Sequence, residues 1–227
     1  MTLTRNFRCQ AILFDLDGVL VNSAECVERT WRKWAARHNL DPEKVLAFAH
    51  GRRTIETVQL VAPELSADAE LAQLEASEAM TSEGVYTVDG ARELLESLPM
   101  DRWAIVTSGV RAVAEFRLRY TGLPIPAVMI CADEISRGKP DPEGYLKAAE
   151  KLGRRPAACL VIEDAPPGIE AAHNAAMRAV GIVGTYSMGE LVAADAVALT
   201  LTDIRIDSTE ANLVVGVSAP SNKRQQR

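Results

Sequence analysis

Four clusters of polar residues stand where apolar runs stop. They are Asp15 and Asp17 after Ala11-Ile12-Leu13-Phe14, Thr107 and Ser108 after Trp103 to Val106, Lys139 in the loop Ser136 to Pro142, and Glu163-Asp164 after Cys159 to Ile162. Carboxylates two residues apart, followed by a glycine that permits a tight turn, suit a divalent cation or an activated nucleophile. Asp and Gly also favour turns, so Asp15 to Gly18 taken alone would equally describe a solvated strand end. Together the clusters are chemically complementary. Hydrolysis of a phosphate monoester needs a nucleophile in line with phosphorus, neutralisation of oxygen charge and a proton for the leaving alcohol. Asp15 can attack, a cation held by Asp15 and Asp164 can bridge carboxylate and phosphate, and Thr107 with Lys139 can bind the remaining oxygens. Without a cation, the carboxylates would repel one another and the phosphate. Donors that are all oxygen, with no His or Cys beside these motifs, favour Mg²⁺ over zinc.

Such chemistry requires the four clusters to converge, and the pattern of the chain supplies a way. Strands expected at Ala11 to Phe14, Trp103 to Val106, Val128 to Cys131, Cys159 to Ile162 and Ala179 to Ile182 alternate with amphipathic helices. This predicts an α/β fold with a doubly wound, Rossmann-like parallel sheet, in which ligands bind beyond the carboxyl ends of the strands. Between the first two strands no further strand is expected. Helices follow one another from Asn22 and Ser23 onward, broken at Asp41-Pro42 and Ala62-Pro63. An all-helical block of this kind reads as an inserted cap over residues 22–86, able to act as a lid on a core of residues 1–21 and 87–217. Ile204 to Asp207 and Leu213 to Val217 read as a closing hairpin, and residues 218–227 as a disordered polar tail.

Composition bounds the partners. The 227 residues, 48% hydrophobic and 25% charged, are those of an ordinary globular protein, and 25 Lys and Arg against 31 Asp and Glu give a net charge of −6. This mild acidity argues against nucleic acid and anionic membranes as partners. No apolar stretch approaches a membrane span, and the first residues lack a signal-peptide core, so a cytoplasmic location is expected. Cys9, Cys26, Cys131 and Cys159 are scattered without a C-x-x-C pair and read as reduced thiols, several of them buried, more than as disulfides or zinc ligands.

The chain resembles the haloacid dehalogenase-like superfamily over nearly its whole length. The resemblance rests on four motifs in order: Asp15-Leu16-Asp17-Gly18-Val19-Leu20, Val106-Thr107-Ser108-Gly109, Gly138-Lys139-Pro140 and Ile162-Glu163-Asp164. It implies that Asp15 forms a phosphoaspartyl intermediate, that Asp17 is general acid and then general base, and that Thr107 and Lys139 bind phosphate. It further implies Mg²⁺ bound by the Asp15 side chain, the Asp17 backbone carbonyl and Asp164, with Glu163 in direct or indirect support. The helical insert looks like the small cap of the phosphoglycolate phosphatase and β-phosphoglucomutase branch. Ala49-His50-Gly51-Arg52-Arg53-Thr54-Ile55 and Glu163 to Gly168 point within it toward the sugar, glycerol-3-phosphate and 2-deoxyglucose-6-phosphate phosphatases. His50, Gly51, Arg52 and Arg53, with Ser108, are thus candidate substrate contacts, although a basic cluster on a helical insert is equally a solvated surface.

Single residues separate the rivals. Dehalogenases and phosphonate hydrolases of the superfamily lack the second Asp of the first motif, and Asp17 disfavours both. Phosphosugar mutases share every catalytic group but carry a His four residues past the position of Ser23, where this chain has Val27. The expectation is therefore a phosphatase for small sugar or polyol phosphates, a monomer as is common in this branch. A phosphosugar mutase and, more remotely, a non-catalytic phosphate-binding module are the alternatives.

Overall fold

The computed structural model describes residues 4–49 and 51–218. Its strands are β1 (Thr4–Cys9), β2 (Ala11–Phe14), β3 (Val21–Asn22), β4 (Tyr86–Thr87), β5 (Trp103–Val106), β6 (Met129–Ile130), β7 (Cys159–Glu163), β8 (Arg178–Ile182), β9 (Ala196–Ala198), β10 (Ile204–Ser208) and β11 (Leu213–Ser218). Between β3 and β4 lie the helices α1 (Ala24–Arg37), α2 (Pro42–Ala49), α3 (Thr54–Val61) and α4 (Ala67–Glu78). The others are α5 (Ala91–Glu96), α6 (Arg111–Thr121), α7 (Glu143–Lys151) and α8 (Pro166–Asn174).

Six strands form one sheet in the order β6-β5-β2-β7-β8-β9, every pair parallel. The expected doubly wound core is therefore present, with β2 at its centre. All four residues of β2 are fully buried because both faces of the sheet are covered. Ile12 and Phe14 join the apolar cluster that contains Trp103, Leu118 and Leu95, while Ala11 and Leu13 join the opposite one with Tyr145, Ala148 and Ile169. Side chains alternate across a strand, so one short apolar run nails together the two layers of helices.

The hairpin expected near the C-terminus is β10 paired antiparallel with β11. Sequence reading missed its partner β1, which pairs antiparallel with β11 from Thr4↔Ser218 to Cys9↔Leu213 and so makes a three-stranded sheet. In β1 only Phe7 and Cys9 are buried, too little alternation in a polar segment to announce a strand. Also unforeseen were β9 and the two-residue strands β3 and β4, too short to carry a periodic signal. Residues 219–227 of the expected tail lie outside the described residues, and Ser218 is the last residue of β11.

The helices α1–α4 enclose their own apolar cluster, with Trp31, Trp34, Val45, Val58 and Leu74 buried in it. The chain enters this block through β3 and leaves it through β4, and these two segments pair antiparallel, Val21 with Thr87 and Asn22 with Tyr86. No helix among the described residues is long and apolar enough to cross a membrane.

Candidate active site

The carboxyl ends of β2, β5 and β7 lie side by side in the sheet, which brings together the clusters that the sequence spreads over some 150 residues. Asp15 follows β2 directly; its backbone N–H donates to the Ile162 carbonyl at 2.9 Å, fixing it beside the end of β7. Glu163 and Asp164 follow on that strand, and Asp15, Glu163 and Asp164 each offer a carboxylate oxygen within 4.8 Å of the others.

Three carboxylates this close, all buried, are untenable unless positive charge offsets them. Lys139 supplies one charge. Its Nζ donates to Asp15 Oδ1 at 2.5 Å and to Glu163 Oε1. Burial pushes Asp15 up to about 7 although Lys139 pulls the other way. Asp164 is held well above the usual carboxylate range by burial and by Glu163 and Asp15, against a hydrogen bond from Thr185. Lys139 is held above its own usual value by the two carboxylates, which outweigh its burial. One ammonium against three acids leaves an all-oxygen site short of positive charge, and a hard divalent cation fits that donor set.

Glu163 is already committed. Its Oε1 accepts from Lys139 and from Tyr145 Oη at 3.3 Å, and its Oε2 from the Ala165 N–H at 2.7 Å. It therefore acts here as the strut that holds Lys139 against Asp15. Two glycines make room for the acids. A Cβ on Gly18 would stand 2.0 Å from Asp164 Oδ2, and one on Gly168 1.7 Å from Glu163 Oε1. Gly18 also has a φ of +83°, in the left-handed region that glycine enters freely.

A cleft of about 90 Å³ opens above these residues and is lined by Asp15, Asp17, Thr107, Ser108 and Asp164 from the core and by Gly51, Arg52, Val27 and Trp31 from the helical block. Thr107 Oγ1 accepts from the Gly109 N–H at 3.0 Å, so its own hydroxyl proton remains available to the cleft. Ser108 Oγ, by contrast, donates to the Gly51 carbonyl at 3.0 Å. The two meet across the junction of core and helical block and occupy each other.

Arg53 departs from the expected substrate contact. Its guanidinium donates to Glu56 Oε1 and to the carbonyls of Ile135 and Ser136, and Glu56 Oε1 in turn accepts from the Gly138 N–H at 3.0 Å. Arg53 thus grips the loop that carries Lys139 and does not line the cleft. Arg52, its neighbour, does line it. His50 lies outside the described residues. Ser23, at the N-terminus of α1, makes no side-chain cap hydrogen bond to the helix; its hydroxyl donates to Asp17 Oδ1 at 2.6 Å.

The sequence reading missed Arg117 and Glu78. Arg117, on α6, is 2% exposed and donates to Asp17 Oδ1 at 2.8 Å and to Glu78 Oε2 at 2.9 Å. The signal was present: Val113, Ala114, Arg117 and Leu118 are the buried residues of α6, so the arginine sits on the apolar stripe of an amphipathic helix.

Residues 9–176 match the family model described as haloacid dehalogenase-like hydrolase, a span that contains every residue of the site. The chain belongs to the haloacid dehalogenase-like hydrolases. Within that family it is 47% identical over 167 residues to hexitol phosphatase A of Escherichia coli K12, covering 71% of this chain and 77% of that one. It is 32% identical over 239 residues to 2-deoxyglucose-6-phosphate phosphatase 2 of Saccharomyces cerevisiae, covering 94% and 97%. Among solved structures, a hydrolase from Pseudomonas syringae superposes with a TM-score of 0.74 at 30% identity, over 85% of this chain and 96% of that one.

Proposed function

We propose that this hydrolase is a Mg²⁺-dependent phosphatase of small sugar or polyol phosphates, working through a phosphoaspartyl intermediate on Asp15. The observation that carries the reading is the buried triad of Asp15, Glu163 and Asp164, of which Asp15 and Asp164 line the cleft, with Lys139 bridging Asp15 and Glu163. Relatives that include a hexitol phosphatase and a 2-deoxyglucose-6-phosphate phosphatase support the substrate class.

Asp15 attacks phosphorus, the bond from phosphorus to the leaving alcohol breaks, and the proton of Asp17 passes to the alcohol oxygen. In the second half Asp17 takes a proton from water as the water oxygen attacks phosphorus, and the bond to Asp15 breaks. Inorganic phosphate leaves, and Asp17 is protonated for the next cycle. Lys139 fixes Asp15, and with Thr107 it binds phosphate oxygens. Mg²⁺, held by Asp15, the Asp17 backbone carbonyl and Asp164 with Glu163 in support, would supply charge neutralisation to carboxylate and phosphate. Residues 22–86 form the cap, closing over the core of residues 1–21 and 87–217 to exclude water and reopening for hydrolysis. The paired linkers β3 and β4 are its hinge. Arg52 and Gly51 face the substrate; the partner is a small phosphorylated metabolite, and the enzyme works as a cytoplasmic monomer.

Val27 lines the cleft at the position where phosphosugar mutases carry a His, which favours hydrolysis over phosphate return. Replacing Asp15 by Asn is expected to lower phosphate release from an aryl phosphate by at least ~10⁴-fold; normal activity in that variant would remove the proposed nucleophile. A mutase would instead interconvert glucose 1- and 6-phosphates without net phosphate release, which a coupled assay reads directly. A screen of phosphate release over sugar and polyol phosphates, with Mg²⁺ and with EDTA, tests substrate class and metal together.

A further inference from the structure

Asp17 is the proton carrier in the proposed cycle, and a proton carrier works only if one defined oxygen faces the leaving group. The surroundings of Asp17 decide which oxygen that is. Ser23 Oγ and Arg117 Nη1 both donate to Oδ1, at 2.6 and 2.8 Å, and Oδ2 receives neither bond. We infer that Arg117 is a positioning residue for Asp17: it ties down Oδ1 so that Oδ2 alone carries the proton to the leaving oxygen and later takes it from water. The inference rests on the proposed role of Asp17 and adds to it a residue outside the four motifs.

Arg117 is placed at high cost. It lies on the buried stripe of α6, its Nε has no hydrogen-bond partner among the described residues, and its remaining donors go to Asp17 and to Glu78. An apolar side chain at this helix position would pack without that cost, and buried ion pairs seldom exceed apolar replacements in stability. Its presence there makes sense through what it holds. The fork geometry suits two carboxylates at once: a lysine can reach one with a point charge but cannot fix both in orientation. The second carboxylate, Glu78, ends α4 of the helical block, so the second amino group of the guanidinium is anchored there while the first holds Asp17.

The leaving group separates positioning from structure. An alkyl phosphate needs a proton on its departing oxygen, whereas p-nitrophenyl phosphate departs as a stable anion. The ratio of kcat/KM values for glycerol 3-phosphate and p-nitrophenyl phosphate therefore reads proton donation in the first step. Asp17→Asn sets the scale, with an expected loss of about 10²–10⁴-fold on the alkyl substrate and a far smaller loss on the aryl one. Arg117→Met and Arg117→Lys are expected to follow the same selective pattern at about 10- to 100-fold. Equal losses on both substrates in the Arg117 variants, with Asp17→Asn still selective, would reduce Arg117 to a structural role and overturn the inference. If Asp17→Asn itself shows no selectivity, the reading of Asp17 as proton carrier falls instead. Arg117→Lys keeps the charge and the aliphatic stem; if this variant too cannot fold, Arg117 belongs to stability and the inference fails.

Discussion

At the scale of single residues, the site is a problem of crowded negative charge. Burial raises Asp15 to about 7 and Asp164 well above the usual range, so in the absence of a cation the folded chain holds protons that the unfolded chain releases near pH 4. A group raised on folding contributes stability that is present below its unfolded value and lost as pH rises through its folded one. The EDTA-treated protein is therefore expected to lose stability between about pH 4 and pH 7. Mg²⁺ binds the ionised acids, so its addition is expected to raise Tm more at pH 8 than at pH 5. An equal shift at both pH values, measured by thermal denaturation, would contradict this electrostatic account. Gly18 offers a second test. Substitution by Ala meets Asp164 Oδ2 and a left-handed φ, with an expected cost of about 1–3 kcal/mol for the backbone alone. Loss of phosphatase activity is expected to accompany the lower Tm.

At the scale of elements, a contact between α3 and the lysine loop joins the helical block to the core beside the candidate site. Arg53 and Glu56 are three residues apart on or beside the first turn of α3 and hold the carbonyls of Ile135 and Ser136 and the N–H of Gly138. Lys139 is the next residue. Replacing Arg53 by Ala is expected to lower kcat by roughly 3- to 30-fold, equivalent to about 0.7–2 kcal/mol, the range of one or two partly buried hydrogen bonds. The change in KM should be smaller, because the guanidinium does not face the cleft. Steady-state kinetics that show a rise in KM alone would restore Arg53 to the role of a substrate contact. The acidic clusters were legible in the sequence because each follows an apolar run that stops abruptly. The role of Arg53 was not legible, because its partners are backbone groups some 80 residues away and the basic pair Arg52-Arg53 carries no sign of which member turns inward.

At the scale of the whole molecule, the fold divides stability from chemistry. One end of the six-stranded sheet carries the site. The three-stranded sheet of β1, β11 and β10 instead buries Phe7, Leu213, Val215 and Val217 in the cluster that contains Ile12 and Phe14. Leu213→Ala is expected to cost about 2–5 kcal/mol, each kcal/mol lowering Tm by about 2–4 °C for a chain of this size. The specific activity of the folded fraction should be unchanged. A thermal melt combined with an assay well below Tm checks both halves of that statement.

Periodicity and motif order by themselves predicted the parallel core and the helical insert, and they marked Asp15, Asp17, Thr107, Ser108, Arg53, Lys139, Glu163 and Asp164 as candidates for the site. These features are local: an apolar run buried on both faces and a polar group at its end can be read without knowing what lies beside them. Only the tertiary structure decided which of those groups stay free for chemistry. It commits Glu163 to Lys139, Ser108 to Gly51 and Arg53 to the lysine loop, and it sets Arg117 against Asp17 across 100 residues of chain. Hydrogen-bond partners are chosen by proximity in space, and proximity between distant segments is fixed only when the sheet order and the seating of the helices on it are complete.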